Sequence, residues 1–130
     1  MNRLPLDKRT QILSALVEGM SINAAARMAD VSKVTVLKLL VEVGNACAKY
    51  QDEILRNLSC KRIQVDEIWS FVHCKSNHVP EQKRGRFGIG DVWTWTSICA
   101  DTKLVPCWYI GRRTTKDAVA FLQNLASRLK

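Results

Sequence analysis

No apolar run in these 130 residues approaches the roughly 20 needed to cross a bilayer, and no signal-peptide pattern opens the chain. A membrane span is excluded on that reading, and a cytoplasmic protein is expected. The five cysteines (Cys47, Cys60, Cys74, Cys99, Cys107) are an odd number with no Cys-x-x-Cys spacing, which argues against both a disulfide framework and a zinc ribbon. They read as small buried hydrophobes of a reducing compartment. His73, Cys74 and His78 lie close together, but His73 and Cys74 would point to opposite faces of a strand, which speaks against zinc. Nor is there a basic tail. Lys plus Arg exceed Asp plus Glu by 20 to 12, a net charge of +8, and residues 1–65 and 66–130 each carry ten basic and six acidic side chains. Such an excess attracts a polyanion such as nucleic acid, and equally an acidic protein. The 47% hydrophobic fraction is enough for a core in one domain or two small ones.

The first sixty residues have helical periodicity. Leu4-Pro5-Leu6-Asp7 reads as a helix start, and Ile12, Leu13, Leu16, Val17 and Met20 recur at helical spacing up to Gly19-Met20-Ser21. Ser21 can cap a second short helix over residues 22–29, whose Ala24-Ala25-Ala26 run lets a neighbouring helix approach closely. Asp30-Val31-Ser32 then makes a tight turn with Ser32 as the next N-cap, and a third helix opens Lys33-Val34-Thr35-Val36-Leu37-Lys38. A short helix, a sharp turn and a capped longer helix make the layout of a helix-turn-helix, whose later helix enters the major groove with its N-terminal side chains against base edges. Ser32, Lys33, Thr35 and Lys38 are the expected contacts to double-stranded DNA. The same residues also admit a plain reading, Ser32 as a cap and the lysines as solvated charges. Leu37, Leu40, Gly44, Cys47, Gln51, Ile54 and Leu58 alternate spacings of three and four. Either the third helix continues to about residue 58 and offers a homodimer seam, or it breaks near Gly44, where glycine costs about 1 kcal/mol relative to alanine.

Beyond Lys61-Arg62 the pattern turns to strands. Asp66 interrupts Ile63-Gln64-Val65-Asp66-Glu67-Ile68-Trp69-Ser70-Phe71-Val72, an otherwise apolar, β-branched and aromatic run that reads as a strand of a buried sheet. A carboxylate out of water needs a partner or a metal, so Asp66 is the candidate metal-ligating residue. Residues 92–100 and 104–110 read as two further strands joined by a short turn at Asp101-Thr102-Lys103, with Pro106 marking an edge or a bulge. Trp69, Trp93, Trp95 and Trp108 are most simply core residues of this antiparallel sheet. The long segment 75–91 reads as a flexible basic loop whose Lys83, Arg84 and Arg86, with Lys75, either touch a DNA backbone or are simply solvated. Thr114-Thr115-Lys116-Asp117 opens a helix with Ala118, Phe121, Leu122, Leu125 and Leu129 on one face. That helix is expected to run to Lys130 with nothing to end it, so the chain is expected to stop in the middle of a fold.

These residues together resemble the transposases of the insertion-sequence-one type. The resemblance rests on the helix-turn-helix, Asp66-Glu67-Ile68-Trp69 on the first strand, Trp93-x-Trp95 leading to Ala100-Asp101, and Gly111-Arg112-Arg113 before a capped helix. It implies an α+β chain: a helix-turn-helix over residues 1–60 and an incomplete ribonuclease-H-like catalytic domain over 61–130, with three antiparallel strands and a helix. It further implies an Asp-Asp-Glu triad holding two Mg²⁺ ions that activate a water and then a DNA 3′-hydroxyl for attack at phosphorus. Asp66 matches the first aspartate. Strand alternation puts Glu67 on the opposite face, and Glu67 and Asp101 read as structural ion pairs. In the family the second aspartate and the glutamate come later than residue 130, so this chain alone is expected to be inactive. The family's cysteine-rich zinc module ahead of the helix-turn-helix is absent. The alternatives are a helix-turn-helix transcription regulator with a small sensor domain, and a self-contained metal nuclease.

Overall fold

The structure, a computed structural model, describes residues 4–86 and 88–130. It is α+β, with helices α1 (Leu6–Val17), α2 (Ile22–Met28) and α3 (Lys33–Ile54), strands β1 (Ile63–Val72), β2 (Gly90–Cys99) and β3 (Trp108–Gly111), and helix α4 (Thr115–Ala126). The chain divides into two compact units, Met1–Tyr50 and Gln51–Lys130, with the boundary inside α3. No helix among the described residues is long and apolar enough to cross a membrane.

Local chemistry sets the first unit. Gly19, at φ +84°, takes the left-handed position after α1, and Met20 N–H reaches back to Ala15 C=O at 3.0 Å. Asp30 does the same after α2 at φ +50°, with Val31 N–H on Ala26 C=O at 3.0 Å. Ser21 and Ser32 accept the N–H groups of Ala24 and Thr35 and so start α2 and α3. Between these stops Ile12, Ala26, Ala29, Val36 and Leu39 close one apolar core. Small alanines on α2 let the helices come close, and the Lys8 ammonium ties α1 to the Ala29 carbonyl at 2.9 Å. α3 passes Gly44 without a break. Of the proposed seam, Leu37, Leu40, Cys47 and Ile54 are exposed; Gln51 instead donates to Val105 C=O and accepts the Trp108 indole N–H.

In the second unit the sheet is antiparallel with order β1-β2-β3, Ile63 facing Cys99 and Val72 facing Gly90. α4 covers the sheet face that carries Ile63, Trp95 and Tyr109, and its Phe121 and Leu125 form the core with Cys107. Burying a ring such as Phe121 is worth about 1.5–3 kcal/mol, which is what fixes α4 to the sheet. The opposite face, with Gln64, Asp66, Ile68, Trp108 and Ile110, is open.

Five sequence expectations change here. β1 is not buried: it is an edge strand with one neighbour, and Val65, Ile68 and Trp69 are 53%, 59% and 41% exposed. Trp69 and Trp108 are therefore surface residues, the first on the edge and the second on the open face; Trp95, tilted against Phe121 at 6.1 Å, is the tryptophan packed on the core. Cys99 and Cys107 are buried, but Cys47 is exposed and Cys60 and Cys74 are half-buried. β3 is only Trp108–Gly111, because Pro106 cannot donate to the ladder and the residues before it reach β2 through isolated bonds such as Cys99 N–H to Leu104 C=O. α4 stops at Ala126 rather than running to Lys130. Ser127 turns its hydroxyl back to Asn124 C=O, and the buried Arg128 guanidinium is held by Asn124 Oδ1, Asp52 Oδ1 and Gln51 C=O at 2.7–3.0 Å. Leu129 then bridges in parallel to Leu58.

Candidate nucleic-acid interface and the carboxylate of the sheet edge

The start of α3 is built outward from its core. Val36 and Leu39 point inward, so by helical geometry Lys33, Val34, Leu37 and Lys38 face solvent, and all four are exposed. Ser32 and Thr35 are differently employed. Ser32 Oγ caps the helix on Thr35 N–H at 3.1 Å and lies 2.8 Å from the Thr35 hydroxyl, so the two side chains are turned towards each other. The freely presented groups are thus two ammonium ends beside the apolar Val34, 57% exposed. Val34 was not singled out by the sequence pattern; an exposed β-branched residue in the first turn of such a helix is suited to a thymine methyl.

Asp66 sits in the open face of β1 and is exposed. Ala100 N–H donates to Arg62 C=O, which makes Arg62 and Ala100 a hydrogen-bonded pair and, by the period of two, turns the main chain of Gln64, Asp66, Ile68 and Ser70 to β2. The main chains of Val65, Glu67, Trp69 and Phe71 then face the free edge. Asp66 Oδ1 accepts one of those groups, Glu67 N–H, at 2.8 Å. The other carboxylates are occupied elsewhere: Glu67 pairs with Arg113 at 3.4 Å, and Asp101 with Arg62 at 2.8 Å. No three His, Cys, Asp or Glu side chains converge among the described residues. One exposed carboxylate does not fit a Mg²⁺ ion held by protein side chains, and no catalytic step is derived from it.

Among its described residues, the segment between β1 and β2 carries local structure. It holds two 3₁₀ turns, Ser76–His78 and Glu81–Lys83, over a buried Val79. Ser76 and Asp91 clasp its ends, Asp91 N–H to Ser76 Oγ at 2.8 Å and Ser76 N–H to Asp91 Oδ1 at 3.0 Å. Gly90 is required there: its φ is +98°, and a Cβ would lie 2.9 Å from Ser76 Oγ. Lys83, Arg84 and Arg86 are all exposed, and Arg84 lines a pocket of about 420 Å³ that also takes in Trp93, Arg112, Arg113 and Thr114. The sequence pattern missed Arg112 and Arg113 as pocket residues.

Below this pocket the start of α4 is closed by its own side chains. Thr114 Oγ1 donates to Asp117 Oδ2 at 2.5 Å and accepts Asp117 N–H at 3.2 Å, while Tyr109 O–H and Arg112 N–H also donate to the carboxylate. The Thr114 hydroxyl, and after it Tyr109 and Arg112, hold Asp117 below the usual carboxylate range despite its partial desolvation. A depressed carboxylate contributes stability that is present above its ordinary pKa and lost as pH falls through the lowered one. Asp117→Asn is therefore expected to flatten the acid limb of a thermal-melting pH profile; an unchanged limb would show that this cap carries no pH dependence.

Compared with protein-family models, curated proteins and solved structures, the chain matches none.

Proposed function

We propose that this chain is the DNA-binding portion of a transposase of the insertion-sequence-one type. Residues 1–50 serve as a helix-turn-helix for double-stranded transposon ends, and the sheet unit is the opening part of a ribonuclease-H-like domain. The observation that carries the reading is the first turn and a half of α3, where Lys33, Val34 and Lys38 stand exposed on a helix whose Val36 and Leu39 are locked in the core. A helix anchored on one side and cationic on the other is what a major groove accepts. The net charge of +8 supports it. The test is a titration with duplex DNA at several salt concentrations. Steeply salt-dependent binding is expected, and salt-independent or absent binding would overturn the reading.

Asp66 would stand as the first of the family's three carboxylates, and Mg²⁺ would be the metal of the complete site. With a single unassisted carboxylate at the position, the 130-residue chain is expected to leave supercoiled plasmid intact in Mg²⁺. Metal-dependent nicking that disappears on Asp66→Asn would show a complete site within this chain. The transcription-regulator reading asks for an enclosed, largely apolar ligand cavity of roughly 300 Å³ or more; the arginine-lined pocket is polar, and the apolar concavity beside Trp95, Phe121 and Leu122 measures about 160 Å³, so that reading is not favoured.

A further inference from the structure

We propose that the pocket between the 76–91 segment and the β3–α4 turn is a phosphate-ester site that grips one phosphodiester of a nucleic-acid strand. It rests on the nucleic-acid reading for the class of ligand, gives a definite site to the expected backbone contact of Arg84, and lies wholly in the sheet unit. Arg84, Arg112 and Arg113 line one pocket of about 420 Å³ together with the hydroxyl-bearing Ser76 and Thr114. Planar guanidinium forks bind phosphate oxygens with paired, charge-assisted hydrogen bonds, which a lysine cannot reproduce.

The site is held in shape before any ligand arrives. The Arg113 guanidinium carbon lies 5.1 Å from the Trp93 ring centroid and its Nε 3.4 Å from Glu67 Oε1, so its position is set from two sides. The Ser76–Asp91 clasp fixes the wall that carries Arg84. Asp91 is the carboxylate lining the pocket, and its Oδ1 already accepts Ser76 N–H; with Arg113 paired to Glu67, Arg84 and Arg112 against Asp91 leave the pocket positive. Two main-chain amides beside the pocket are already used, Arg112 N–H by the Asp117 carboxylate and Asp117 N–H by Thr114 Oγ1. The proposed grip is that of the arginine side chains, which makes it testable by side-chain replacement. Arg112 suits this: its main-chain N–H and C=O serve Asp117 and the Trp95 indole, and both survive Arg112→Gln.

The experiment uses the full chain carrying Lys33→Ala and Lys38→Ala, so that the remaining binding reports on the sheet unit. Fluorescent single-stranded and duplex oligonucleotides of one sequence are titrated at several salt concentrations, with and without Arg84→Gln and Arg112→Gln. The pair is expected to weaken strand binding about tenfold and to reduce the slope of log K against log salt by about 0.7–0.9, one phosphate contact, with Arg84→Lys and Arg112→Lys restoring the slope but not the full affinity. An unchanged affinity and slope in the Gln pair, or no strand binding left in the starting protein, would overturn the proposal whatever α3 does. So would binding of pyrophosphate as tight as that of the oligonucleotide, which would mark a free-phosphate site, or equal binding of a poly-glutamate peptide, which would mark an acidic protein partner. Arg84→Gln alone, on the exposed segment, gives the same sign of change should the pair lower the melting temperature.

Discussion

Replacing Lys33 and Lys38 together by alanine is expected to lower the affinity for duplex DNA about 10- to 100-fold and to reduce the slope of log K against log salt by up to about 1.8. Both side chains are exposed on α3, away from the buried Val36 and Leu39, so the loss comes from the interface and not from unfolding. Ser32→Ala makes the contrast. Its hydroxyl is committed to Thr35 N–H, and its removal is expected to cost about 1 kcal/mol of stability with a much smaller effect on DNA at a temperature where the unit stays folded. Val34→Ser lies between the two: if Val34 meets a thymine methyl, the loss should appear on some DNA sequences and not on others. Anisotropy titrations of these variants at matched salt check all of this. Wild-type affinity in the double lysine variant would remove α3 as the DNA-reading helix.

Amide exchange along β1 should alternate. Gln64, Asp66, Ile68 and Ser70 turn their main chains to β2, while Val65, Trp69 and Phe71 face an edge with no neighbouring strand. The first group is expected to exchange on the order of 100-fold more slowly than the second, because its opening requires the β1–β2 pairing to break. Glu67 faces the edge too, but Asp66 Oδ1 accepts its N–H, so it should fall between the groups and join the fast ones on Asp66→Ala. This gives Asp66 a role that needs no metal: a charge that covers one main-chain donor and discourages another strand from adding to an edge rich in exposed Val65, Trp69 and Phe71. Uniformly strong protection from Val65 to Phe71 would show that another strand covers the edge in solution.

The parts readable from the residue string are those set by neighbours a few positions apart. Ser21, Ser32 and Thr114 cap helices through the N–H three residues on, and Gly19 ends α1 with its own φ; these interactions work wherever the helix lies, so the string reveals them. The apolar and β-branched pattern placed β1 and β2 within a residue or two, and Pro106, which cannot donate to a ladder, marked the third strand as an edge or bulged one. What the string could not disclose is which of these surfaces would be covered. An apolar strand reads alike whether it lies at the centre of a sheet or at its rim, and only the order β1-β2-β3 leaves Asp66 and Trp69 in water. The end of α4 is similar, since Arg128 stops it through Asp52 and Gln51, more than seventy residues away in the chain. The arginine pocket is the clearest case. Arg84 and Arg112 belong to different turns of the sheet unit, and no local pattern can say that two loops will line one pocket; that depends on the register of β2 and on the clasp that folds the intervening segment back.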